Sequence, residues 1–194
     1  MKISHLALAS ALALAGGLAA CNENPAQSEP VNAAQDAMSE PVGQTSAAIL
    51  GANTVEGYVT NAAIGDMYEI QAAEIALERT QNAQVRELAQ MIRNDHTAAS
   101  QRLRGLAASA GEGGVELPTE MDERRQGLID NLRAASAADF DAVFIDQQVA
   151  AHREALTLHR GFADHDDARQ LADHARQVVP NLERHLQMAE QLDD

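Results

Sequence analysis

The chain has no tryptophan, three phenylalanines, two tyrosines and one cysteine in 194 residues. So few aromatics exclude a sheet-rich sandwich, while abundant Ala, Leu, Gln, Glu and Arg suit packed helices, so the expected fold class is all-α. A single cysteine excludes an intrachain disulfide. Lysine is nearly absent, since Lys2 is the only one. Beyond the first twenty residues, 13 arginines face 29 aspartates and glutamates, a formal charge of −16. A chain this acidic is repelled by phosphate backbones, which excludes nucleic acid as a partner. Serine–histidine–aspartate order, phosphate loops and dinucleotide fingerprints are also missing. An enzyme using Glu69 or a histidine as general base therefore has no dedicated support in the sequence.

Long hydrophobic runs are missing except at the amino end, where "LALASALALAGGLAA" follows the positive charge of Lys2. The run is shorter than the roughly 18 to 20 residues that span a bilayer, so residues 1–20 read as a cleavable export signal. Its end, "LAAC" at Leu18 to Cys21, resembles the lipobox of bacterial lipoproteins. The resemblance implies a lipid anchor on Cys21. Asn22 in place of an aspartate implies a periplasmic protein held on the outer membrane. Set against this, a lone cysteine elsewhere in a chain is most simply a small buried hydrophobe.

Residues 21–53 hold three of the five prolines and no sustained apolar period, which predicts a disordered acidic tether. From residue 54 to 194 the pattern is helical. Val55, Tyr58, Ala62, Asp66, Glu69, Ala73, Ala76 and Thr80 share one face of a first helix. Val85, Leu88, Ile92, His96, Ala99, Leu103 and Leu106 form the stripe of a second, which "GEGG" ends. A short crossover helix follows, with Thr119 as its expected N-cap. Ile145, Val149, His152, Leu156 and His159 mark a third long helix, and Leu171, Ala175, Val178, Leu182, His185, Ala189 and Leu192 a fourth. Four striped helices and one long connection predict a four-helix bundle domain, which is compatible with a homo-oligomer.

Each stripe carries one ionisable group near its centre: Glu69, His96, His152 and His185. An unpaired buried carboxylate is costly, so Glu69 requires donors or a cation. Two arrangements satisfy the pattern. The four can ligate one transition metal ion, zinc, iron, manganese or copper, with Asp95 and Glu183 orienting the imidazoles from behind. Alternatively they hydrogen-bond among themselves as a structural network inside a non-enzymatic envelope module for stress or protein interaction. His159 reads as an edge histidine reaching water. His165 and His174, set among aspartates, read as surface or capping groups. Met67, Met91, Met121 and Met188 are spread over four helices as gap fillers rather than a copper site.

The ordered segments "GDMYEIQAAEIAL", "MIRNDHTAASQRLRGLA", "ELPTEMD", "FDAVFIDQQVAAHREALTL" and "VVPNLERHLQMAEQL" resemble the bacterial domain of unknown function 4142 (DUF4142) over about residues 55 to 192. That resemblance implies a ferritin-like bundle whose recurring polar positions fall on Glu69, Asp95, His96, His152 and His185. Where the family often has a second glutamate, this chain has Gln71. Ferritin-type di-iron chemistry does not carry over. The residues three before His96, His152 and His185 are Arg93, Val149 and Leu182, not the glutamates of a Glu-x-x-His motif.

Overall fold

A computed structural model describes residues 34, 36–38, 42–43, 51–110 and 113–193. The expected export signal and Cys21 lie outside them. All described regular structure is helical: α1 Val55–Arg79, α2 Ala83–Ala107, α3 Glu123–Ala134, α4 Phe140–Phe162 and α5 Arg169–Asp193, with a 3-10 turn at Asp166–Ala168 before α5. None of these helices is long and apolar enough to cross a membrane.

The helices begin where the sequence supplies acceptors for their orphan amides. Thr54 accepts from the Gly57 amide and Asn82 from the Gln84 amide. The crossover helix corrects one expectation, because its N-cap is Asp122 rather than Thr119. Asp122 accepts from the Arg125 amide at 2.8 Å and pairs with the Arg125 guanidinium, two bonds a threonine cannot make together. After α2 the chain turns through Gly113 and Gly114, both at positive φ, where a side chain would be strained. α5 continues through Pro180 as one helix.

Two apolar clusters fix the topology. One gathers the end of α1 (Ala72, Ala76), the start of α2 (Leu88, Ile92), α3 (Leu132), the start of α4 (Phe144) and the end of α5 (Ala189). The other gathers the opposite ends, with Tyr58, Leu103, Phe162 and Leu171. Hence α1 and α5 run one way and α2 and α4 the other, and the α2–α4 connection must travel the length of the bundle. α3 lies in that connection, and a single long crossover is also the connectivity of ferritin-like folds.

The segment expected as a tether touches the bundle where it is described. Both carboxylate oxygens of Asp36 accept bonds, from Asn131 and Gln147, at 2.7 Å each. Ala52 is buried against the end of α4, where a Cβ on Gly161 would stand 2.6 Å from its Cβ.

Candidate metal centre

Between the two apolar clusters lies a polar layer. On α2, His96 sits between Ile92 of one cluster and Leu103 of the other; on α4, His152 sits between Val149 and Leu158; on α5, His185 lies one turn before Ala189. The stripes that bury the leucines therefore bury the imidazoles as well: His96 is 4% exposed, His152 and His185 are not exposed at all. Their ring centroids form a triangle with sides of 5.2, 5.7 and 5.8 Å. One nitrogen from each lies within 4.8 Å of the other two.

Each ring has one nitrogen anchored by a hydrogen bond. His96 donates from Nδ1 to Asp66 at 2.8 Å, His152 from Nδ1 to the Gln148 carbonyl at 2.9 Å, and His185 from Nε2 to Asp95 at 3.0 Å. A neutral imidazole has one N–H, so these bonds leave lone pairs on His152 Nε2 and His185 Nδ1, and on His96 Nε2 once a metal displaces the proton that Asp66 and Glu69 favour there. His96 Nε2 is buried without a hydrogen-bond partner among the described residues. His152 Nε2 and His185 Nδ1 are 3.1 Å apart. Two lone pairs cannot face each other at that distance unless a proton or a cation lies between them.

A shared proton would make His185 an imidazolium, which its surroundings oppose. Burial, then the charge on His96, pull its pKa down to about 4 against the pull of Asp95. Burial also holds His152 well below the usual histidine range, with His96 and His185 adding to the effect. His96 differs: burial lowers it, but the Asp66 bond and the charges of Glu69, Asp66 and Asp95 together raise it. Three buried histidines this close can hold a metal ion.

The four candidate ligands do not all converge. Glu69 is buried, but its Oε1 lies 3.6 Å from His152 Nδ1, on the anchored edge of that ring rather than the free one. Its Oε2 has no hydrogen-bond partner among the described residues, and burial raises the carboxyl to about 7 against the opposing charge on His96. Asp95 reaches the layer, but behind His185 rather than behind its neighbour His96. Glu183 does not reach it: half-exposed, it pairs with Arg160 at 2.6 Å on the surface. Asp66, which anchors His96, sits on the α1 stripe one turn before Glu69, where the apolar period alone does not mark it as part of the layer.

Two histidines correct the sequence reading. His159 is buried, not at a wet edge, and shares a 3.0 Å hydrogen bond with the Tyr58 hydroxyl. His174 is 1% exposed rather than a surface group. The spacing held the signal: Leu171, His174, Val178, Leu182 and His185 follow one helical stripe, and the nearby aspartates concealed it. His165 is partly buried and stacks on Phe162.

A family model described as a domain of unknown function (DUF4142) matches residues 40–192. No curated protein and no solved structure matches the chain.

Proposed function

We propose that this chain, which belongs to the DUF4142 family, holds one transition-metal ion in its three-histidine layer and is a lipid-anchored protein of the bacterial envelope. The observation that carries the metal reading is the set of three anchored imidazoles, each with a nitrogen within 4.8 Å of the other two, of which the unanchored nitrogens of His152 and His185 face each other at 3.1 Å. His96, His152 and His185 are the ligands. Asp66, the Gln148 carbonyl and Asp95 fix their tautomers, the usual arrangement behind metal-bound histidine. Neutral imidazoles select zinc, copper, iron or manganese over magnesium and calcium. Three protein ligands leave a further position for water or a small molecule, as in catalytic rather than structural sites. Glu69 stands beside the layer as a buried carboxyl and offsets positive charge without ligating.

Protein freed of metal by a chelator and titrated calorimetrically with zinc or copper should bind about one ion per chain, and His152→Ala should abolish the binding. No binding by the wild-type chain, or unchanged binding by His152→Ala, would overturn the reading.

The envelope location is supported by Lys2, the apolar run and the "LAAC" sequence ending at Cys21. The lipobox resemblance implies a diacylated Cys21, and two acyl chains are enough for stable anchorage where one is only marginal. In cells fed labelled palmitate, the wild-type chain should carry label in the membrane fraction, and Cys21→Ser should carry none.

A further inference from the structure

A cleft of about 160 Å³ opens between α2 and α5 and is bounded at its inner end by His96 and His185. His174 forms part of its wall. Both ring nitrogens of His174 are buried without a hydrogen-bond partner among the described residues. Leaving an imidazole unpaired in a protein interior is costly, and such groups are normally satisfied by ordered water or a ligand. His174 borders the cleft, which can supply the partner it lacks.

Arg102 lines the same cleft and is exposed, with no hydrogen bond or ion pair among the described residues. Its charge also helps burial keep His174 neutral, with a pKa lowered to about 4, so that at neutral pH the ring offers one N–H donor and one acceptor. The other charged wall group, Asp95, is already matched by His185 at 3.0 Å and Arg184 at 2.9 Å. The cleft therefore holds the unmatched cation of Arg102 and, on His174, one donor and one acceptor without partners among the described residues. Its volume corresponds to about five water molecules at roughly 30 Å³ each.

We infer that this cleft binds a small oxyanion, a carboxylate or an inorganic oxyanion, paired with Arg102 and hydrogen-bonded by His174, beside the three-histidine layer. The last part rests on the metal reading; the anion site does not. A ligand seated there lies beside His96 and His185, with Asp95, the anchor of His185, in the same wall. Access to the layer would then be selective by charge as well as by size.

The test uses the full chain with ¹⁵N-labelled histidine, free of metal, near neutral pH. Sodium acetate and sodium phosphate are titrated separately, with sodium chloride at matched ionic strength as the control. The His174 ring nitrogens should shift saturably with acetate, phosphate or both, and not with chloride. Saturation by acetate alone identifies carboxylates, by phosphate alone inorganic oxyanions, and by both a general oxyanion site. Arg102→Ala should weaken the affinity by about tenfold or more, Arg102→Lys by less. Arg104→Ala should leave it unchanged, because Arg104 borders a different surface hollow. No saturable shift up to about 100 mM, or equal affinity in Arg102→Ala, overturns the proposal. Because no metal is present, that failure is separate from failure of the zinc titration. Acetate should further alter the visible spectrum of cobalt(II)-loaded protein, and an unaltered spectrum would separate the cleft from the layer.

Discussion

His96 donates through Nδ1 to Asp66 at 2.8 Å, and that bond decides which of its nitrogens remains free. Asp66→Ala should therefore weaken metal binding by about 10- to 100-fold while leaving a folded bundle, measured by competition with a chromophoric chelator. Unchanged affinity would mean that Asp66 serves only the core. Tyr58 plays the comparable part for His159. Tyr58→Phe, which leaves a buried nitrogen without its partner, should cost about 1 to 3 kcal/mol in urea unfolding. At this scale the sequence was informative about side chains on the stripes and silent about what crosses between helices. His96, His152 and His185 were legible because a histidine at the centre of an apolar period has to be buried. The anchor of His152 is a backbone carbonyl, which no residue type announces. Asp95 directly precedes His96 in the chain yet serves His185, since adjacent helical residues point about 100° apart. Glu69 was read as a ligand because its stripe position is right; the depth at which its carboxylate ends is a matter of rotamer and packing, not of period.

Among the elements, α3 depends most on a single side chain. Arg79, at the end of α1, donates to the carbonyls of Leu132, Arg133 and Ala135 at 2.6 to 2.9 Å and lies over the Phe140 ring at 4.3 Å. It thus satisfies the open carbonyls at the α3 C-terminus and joins α1 to α4 across the crossover. Arg79→Ala should cost about 1.5 to 3 kcal/mol, and Arg79→Lys should recover only part of it, because a lysine lacks the planar fork. Equal stability of Arg79→Lys and wild type would show that charge alone suffices. α3 is tied from its other side by Glu154 on α4, which accepts from both Arg124 and Arg125 at 2.5 to 2.9 Å. The four long helices were legible because each has a stripe several turns long. The start of α3 was not: Thr119 and Asp122 both follow Pro118 closely, and the pairing of Asp122 with Arg125 decides between them.

For the molecule as a whole, burying neutral imidazoles couples stability to pH. Burial, then the charges on His174 and His96, lower His159 to about 3; burial and Arg102 lower His174 to about 4. Below pH 6.5 the unfolded chain protonates both while the folded chain does not, so stability falls on acidification from about 6.5 to 4. Glu69 has the opposite sign. Raised by burial to about 7, it takes up a proton in the folded state before the unfolded state does, which adds stability as pH falls from about 7 to 4.5. His152 and His185 act with His159 and His174, and His96 acts with Glu69. Burial also raises Asp36, Asp66 and Asp146 from the ordinary aspartate value of 3.8, so they oppose the histidines toward the acid end; at the start of acidification the four lowered histidines set the slope, a loss of stability. Urea midpoints measured with chelator present should decline from pH 6.5 to 4.5, and His174→Leu should decline less steeply. A flat profile would show that these imidazoles are not held neutral. The metal reading is tested most directly by X-ray absorption on the zinc-loaded protein, which counts the atoms around the ion. Three imidazole nitrogens at about 2.0 Å in the wild-type chain, and no zinc held by His185→Ala, are the predicted result. A shell of oxygens, or one unchanged by losing His185, would contradict it.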